Sequence, residues 1–261
     1  MSDTASTKRA TVLAVTSGKG GVGKTFMSAN LAAALTARGK RVLVLDADLG
    51  LANLDVVLNL FPKVTLHDVF TSKVQLEDAI LPAPGGFSVL LAGSGLVEYS
   101  RLTPEVREQL LRIIETLAPR YDHILLDTGA GISDVVLYAV SLADEVLVLV
   151  TPEPTSMTDA YATIKVLATQ QGRRDIRLVV NQVGRLGEGR TIRGQLQLVV
   201  DRFVTPMLPE GEKAPTLELT GEVPLDSSVR EAVQKRQLVI EMLPGCAATR
   251  AIEATAAKIA P

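Results

Sequence analysis

The sequence predicts a doubly wound α/β fold, a mainly parallel sheet flanked by helices on both faces, and three observations carry that expectation. Short runs of Val, Ile and Leu recur without alternating polar residues, the pattern of strands buried on both faces of a parallel sheet. Stretches with helical spacing separate these runs, and strand–helix alternation of this length builds such sheets. The 261 residues are 47% hydrophobic, which suffices for one large core.

The elements follow in order. Thr11 to Thr16 is the first buried run, and Thr25 to Arg38 the first helix, closed by Gly39 in the left-handed cap conformation. Arg41 to Leu45 and Phe87 to Leu91 read as strands. Thr103 caps a helix that opens with Pro104 and runs to Leu117. His123 to Leu126 is a strand, Asp134 to Leu142 a helix, and Glu145 to Val150 a strand. Thr158 to Thr169 is helical up to a Gly172 cap, Ile176 to Val180 extended, and Thr191 to Phe203 helical. Leu208 to Pro215 mixes Pro, Gly and charge and reads as an exposed loop before a last strand, Leu217 to Val223. Residues 1–10 are polar and expected to be a flexible tail, with residues 11–261 as one domain.

Composition closes several doors. With 27 basic against 29 acidic side chains the net charge is -2, so bulk electrostatics names no nucleic-acid or membrane partner. Aromatics are 3% and Trp is absent, which argues against base-stacking platforms and sugar clefts. The lone Cys246 excludes an internal disulfide, a CxxC redox pair and a cysteine cluster. His67 and His123 lie far apart and form no local metal motif. No apolar run approaches the ~18 residues of a membrane span, and the N-terminus has no apolar signal core. The expected location is cytoplasmic.

The first strand leads straight into Ser17-Gly-Lys-Gly-Gly-Val-Gly-Lys-Thr25, followed by a helical pattern. Gly18, Gly23, Lys24 and Thr25 satisfy G-x-x-x-x-G-K-[ST]. Glycines, here also Gly20 and Gly21, let backbone N–H groups converge on phosphates, and the helix N-terminus adds a positive field. Lys24 is placed to reach the β- and γ-phosphates, and the Thr25 hydroxyl to complete a Mg²⁺ shell. Two strands end in acids, Asp46-Ala-Asp48 and Asp127-Thr-Gly129. Ligands of open α/β sheets sit at the carboxyl ends of strands. Asp127 is therefore expected on the metal, with Asp46 and Asp48 orienting water or the hydration shell.

Lys19-Gly-Gly-Val-Gly-Lys-Thr25 resembles the deviant Walker A motif of the MinD/ParA family, in which an extra lysine, here Lys19, precedes the glycine pair. The resemblance runs from about Thr11 to Lys258 and implies a P-loop ATPase using ATP/ADP and Mg²⁺. It implies an ATP-dependent homodimer in which Lys19 reaches the partner's nucleotide, so that hydrolysis is slow and needs both copies. Carried over by position, Lys19, Lys24 and Asp48 are the catalytic set, Asp48 helping to activate water. Thr25, Asp46 and Asp127 would hold the metal. The ATP-binding loop would comprise Gly18, Lys19, Gly20, Gly21, Val22, Gly23, Lys24, Thr25 and Phe26, with Phe26 also packing its helix on the sheet. Asn181 resembles the adenine-reading asparagine, and Pro224, Leu225 and Asp226 the loop around the base. Glu153 resembles a residue that contacts nucleotide across the dimer.

Three runs narrow the resemblance to the flagellar-number regulators FlhG/FleN: Asp46 to Asp55, which includes Asn53, Leu126 to Ser133, and Thr151 to Tyr161. MinD proteins share part of the first. The implied partners are flagellar or polar machinery, with recruitment to a pole or the membrane surface through a partner. Two departures stand out. Residues 1–10 hold no D-Q-A-x-x-L-R activator segment, and Ala247 to Pro261 is Ala-rich with one Lys and one Arg. Alanine buries little area, so this end reads as the last packed helix and not as a membrane anchor. Two other functions compete: partitioning of DNA or protein cargo or division-site placement, and an ATP-dependent metabolic synthetase. The seven arginines between Arg173 and Arg202 are the feature that would bind DNA nonspecifically.

Overall fold

The computed structural model describes residues 9–50, 53–93 and 102–261. Among them, eight strands form one sheet: β1 (Thr11–Ser17), β2 (Val42–Ala47), β3 (Ile80–Pro82), β4 (Ser88–Leu90), β5 (His123–Ala130), β6 (Glu145–Val150), β7 (Asp175–Val183) and β8 (Thr216–Pro224). Their order is β3-β4-β2-β5-β1-β6-β7-β8, with every pair parallel except β3 with β4. The helices are α1 (Lys24–Ala37), α2 (Leu54–Leu58), α3 (Leu66–Phe70), α4 (Pro104–Leu117), α5 (Asp134–Ser141), α6 (Pro154–Gln170), α7 (Glu188–Phe203), α8 (Ser227–Lys235), α9 (Val239–Met242) and α10 (Ala247–Ile259).

The uninterrupted apolar runs are explained by two cores. Val12 and Ala14 of β1 face a cluster with Leu110 of α4, Val140 of α5, Ile164 of α6 and Leu196 of α7. Leu13 and Val15 face a second cluster with Met27 and Leu31 of α1 and Ile252 of α10. Both faces are covered, so neither alternate position is polar. The doubly wound expectation holds.

Topology places the site. Strand β5 slots between β2 and β1, bringing three carboxyl ends side by side, with Asp46 in register with Asp127 and Asp127 with Val15. The first loop thus opens beside both acidic strand ends.

Several elements differ from the sequence expectation. Strand β3 was not anticipated. It is three residues long and ends in Pro82, which an edge strand tolerates because no further ladder bond is needed there. Helices α2, α3 and α9, of four or five residues, are too short to show a period. Helix α6 begins at Pro154, four residues before the expected Thr158, with proline in the first turn. Ala10 belongs to the packed body: it is 2% exposed and its N–H donates to the Ala118 carbonyl at 2.9 Å. Arg9 is exposed, and residues 1–8 of the expected tail, with Leu51 and Ala52 of the run after β2, lie outside the described residues. The Ala-rich helix α10 packs on β8 and α1 and buries Ala248, Ile252 and Ala256. Among the described residues no helix is long and apolar enough to cross a membrane.

Candidate functional site

The loop from β1 to α1 is closed by its own contacts. The Lys24 ammonium is buried and donates to Ser17 Oγ at 2.8 Å, and Ser17 Oγ donates to the Lys19 carbonyl at 2.7 Å. Burial lowers the Lys24 pKa, while the charges of Asp127 and Asp48 oppose that shift. Gly23 sits at φ 96°, and a Cβ there would lie 2.7 Å from Asn181 Nδ2. Gly18 has a different reason: a Cβ would lie 2.1 Å from the Asp159 carbonyl oxygen, so glycine lets the loop rest on α6.

The two acidic strand ends take distinct roles. Asp127 is buried behind the loop, where Oδ1 accepts from Ser28 Oγ at 2.8 Å and the Thr25 side chain also bonds the carboxylate. Burial pushes its pKa up to about 6, against the pull of Ser28, Thr25 and Lys24. Asp46 is 1% exposed, and burial, then Asp127, push its carboxyl well above the usual range. Its Oδ1 accepts from the Asp48 N–H at 3.1 Å, and the Leu54 N–H bonds it too. Asp46 therefore braces the segment after β2. Asp48, not Asp46, lines the large cleft, beside Gly129.

That cleft encloses about 850 Å³ and is lined by Gly20, Gly21, Gly23, Lys24, Thr25, Phe26, Asp48, Asn53, Thr128 and Gly129, among others. The oxygen donors Thr25, Asp48 and Asp127 beside a helix N-terminus suit Mg²⁺. Among the described residues no group of three His, Cys, Asp or Glu could hold a metal alone.

A second cavity of 260 Å³ adjoins the cleft and shares Gly23, Phe26 and Val233 with it. It gathers Asn181, Gln182, Pro224, Leu225 and Asp226 with Val229 and Arg230 of α8. Asn181 ties the end of β7 to the phosphate loop: Nδ2 donates to the Val22 carbonyl at 2.8 Å, and Oδ1 accepts from Gln182 N–H of its own strand at 3.0 Å. Asp226 has a structural part as well. Its carboxylate accepts from Ser228 N–H at 2.9 Å and Ala248 N–H at 3.1 Å, so it caps α8 and α10 together. Burial works against ionisation, but these bonds outweigh it and lower its pKa. Of that loop, Pro224, the 73% exposed Leu225 and Asp226 line the cavity.

Lys19 and Glu153 line neither cavity. Lys19 Nζ donates to Glu153 Oε2 at 2.7 Å and to Thr155 Oγ1 at 2.9 Å within the same chain. Phe26 is 8% exposed, packs in the α1 core and lines both cavities. Sequence reasoning missed Ser17, Ser28, Gln182, Val229, Arg230 and Val233. Ser28, one turn after Thr25, was within reach of a helical-face argument; the α8 residues were not, because α8 itself went unread.

The arginine segment is largely engaged in the fold. Arg173 donates to the carbonyls of Val140, Ala143 and Asp144, and Arg193 to that of Leu217. Arg174 pairs with Glu212, and Arg177 with Glu145 and Glu218. Arg202 lies over the Phe203 ring, 5.3 Å from its centroid, so of the seven Arg185 and Arg190 are left for a polyanion.

A family model described as an AAA domain matches residues 10–179. The chain is 44% identical to the antiactivator FleN of Pseudomonas aeruginosa over 95% of this chain and 85% of that protein. It is 31% identical to the flagellum site-determining protein YlxH of Helicobacter pylori, over 89% of this chain and 76% of that one. The septum site-determining protein MinD of Pyrococcus horikoshii, solved with Mg-ADP, superposes with a TM-score of 0.76 at 26% identity, covering 96% of each chain.

Proposed function

Because the chain belongs to the MinD/ParA family of P-loop ATPases, close to FleN and FlhG, we propose that it is an ATP-hydrolysing, dimerising switch that sets flagellar number or placement. One observation carries the reading. Lys24, Thr25, Asp48 and Asp127 converge at the carboxyl ends of three adjacent strands, on a loop already closed by Ser17. The name of the flagellum site-determining protein YlxH supports the flagellar object, and the Mg-ADP complex of MinD supports the ligand.

In this reading the N–H groups of Gly20 to Thr25 hold the phosphates and Asn181 fixes the loop to β7. Gln182, Pro224 and Leu225 border the base. Thr25 and Asp127 would hold Mg²⁺, which would supply positive charge where negative charge develops. Lys24 sits on the same charge and Asp48 orients the attacking water. Asp46 keeps Asp48 in place through its backbone N–H. Lys19 leaves Glu153 and Thr155 to reach the nucleotide of a second copy; an exposed ion pair is worth about 0–1 kcal/mol, so its release is easy. Turnover is slow and needs both copies, in the cytoplasm, with recruitment to a pole or the membrane surface by a partner.

Light scattering on Asp48→Ala with Mg-ATP and with Mg-ADP tests the switch. Loss of the water-orienting carboxylate traps the ATP state, so a dimer with ATP and a monomer with ADP are expected. One mass in both, with ATP bound, would overturn the switch.

A further inference from the structure

Ser17 is the last residue of β1 and is fully buried. Its backbone is tied to the turn after β5, where its carbonyl accepts from the Gly131 N–H at 2.8 Å. The hydroxyl therefore hangs from a strand end, and a group on a strand is held more precisely than one on a loop.

A hydroxyl has one proton to give, and its two neighbours decide where that proton goes. An ammonium only donates, so Ser17 Oγ accepts from Lys24 Nζ at 2.8 Å. A carbonyl only accepts, so the proton goes to the Lys19 carbonyl at 2.7 Å. The relay runs one way, from Lys24 through Ser17 to Lys19, and each bond strengthens the next. Lys24 is the only buried lysine among the described residues, and Ser17 Oγ is the one hydrogen-bond acceptor its ammonium meets there.

The surroundings show why a neutral acceptor is needed. An ammonium carries three donors, so Ser17 takes one and leaves two for phosphate oxygens. The charges of Asp127 and Asp48 pull on the same ammonium. Pairing with either would cancel the positive charge and occupy a carboxylate meant for metal or water. Ser17 satisfies the buried ammonium without cancelling it. The same hydroxyl fixes the backbone of Lys19, whose side chain lies on Glu153 and Thr155.

We propose that Ser17 is a positioning residue for hydrolysis: it keeps the Lys24 ammonium on the phosphate loop against the pull of Asp48 and Asp127, and links it to the backbone of Lys19. The effect on turnover rests on the ATPase reading; the hydrogen-bond relay does not.

Proton–nitrogen NMR of the lysine side chains in the nucleotide-free protein reads the relay. An ammonium protected from exchange with water is expected, absent in Lys24→Arg and lost in Ser17→Ala. Ser17→Thr keeps the hydroxyl and should keep the signal, whereas Ser17→Cys, a weak acceptor, should lose it. Turnover then separates positioning from packing. In Ser17→Ala, kcat per nucleotide-binding site should fall by about 10–100-fold, the range of a hydrogen bond to a charged group. The affinity for a fluorescent ADP should change less than about threefold, because a preset charge acts mostly on the transition state. Ser17→Thr should recover most of kcat. No protected ammonium in the parent, its survival in Ser17→Ala, an unchanged kcat, or an affinity loss as large as the kcat loss would overturn the proposal. The NMR is read without ATP, so a parent that shows the relay but never hydrolyses ATP sinks the ATPase reading alone.

Discussion

The phosphate half and the base half of the cleft meet at Gly23, Phe26 and Val233 but follow opposite plans. In the phosphate half Lys24 and Asp127 are buried and held: Lys24 is 9% exposed and bonded to Ser17, and Asp127 is 2% exposed and bonded to Ser28, while Asp48 is half-buried. In the base half Leu225 and Val233 are largely exposed, Gln182 takes a left-handed backbone at φ 61°, and Arg230 stands exposed on α8. The difference follows from their tasks. Groups that stabilise developing charge must be fixed before the reaction, because reorganisation at that moment costs rate. Groups that border a base need contact area, which a ligand can supply by covering exposed side chains.

The largest expected effect is in the phosphate half. Lys24→Ala removes its one buried cation, and ATP turnover measured by phosphate release should fall by about 10²–10³-fold. A fall under about tenfold, in the range of a lost pocket contact, would mean that the two halves are not built differently. Gly18→Ala comes next. Its Cβ would strike the Asp159 carbonyl, and urea denaturation without nucleotide should show a loss of about 1–3 kcal/mol. Asp226→Ala follows, since it uncaps α8 and α10 at once; about 1–2 kcal/mol of stability should go, with the base-side KM rising. Leu225→Ala should raise KM for ATP by up to about tenfold, or about 1.4 kcal/mol, without moving kcat, as for a pocket side chain that binds ground and transition states alike. A kcat effect there would place Leu225 with the chemistry and erase the contrast.

The same contrast explains what the sequence reveals. The phosphate half is written in nine consecutive residues and two strand ends, so motif and period find it. Lys24, Thr25, Asp48 and Asp127 lie where that reading puts them. The base half is assembled from β7, β8 and α8, and its residues share no local pattern. Asp226 shows the limit well: position in a loop beside the base suggests a ligand contact, and only the fold shows that its carboxylate also serves two helix N-termini. Asp46 shows the same limit within the clear half. The sequence places it at a strand end, and only packing turns it from the cleft toward the backbone of Asp48. The central strands were legible because both faces are apolar; β3 and α2 were not, because three to five residues cannot display a period.

A final test compares two ends of one strand. Asp122, just before β5, accepts from Arg41 N at 2.8 Å, Nε at 3.2 Å and Nη2 at 3.0 Å, and the guanidinium holds its pKa down to about 2. Asp127 near the other end goes the opposite way because it is buried. A folded-state pKa below the unfolded value of about 3.9 adds stability above that pH, and the gain disappears as pH falls toward about 2. Asp122→Asn should therefore have a slightly lower Tm than the parent at pH 5, with the two values converging as pH approaches 2. The effect is small, because Arg41 and Asp122 keep much of their contact with water. Curves that stay parallel down to pH about 2 would mean that Arg41 does not hold Asp122 in solution. Convergence would show that a charge partner at the solvent edge and burial at the cleft shift carboxylates of one strand in opposite senses, which is the difference between a group that supports the fold and one that is kept ready for a ligand.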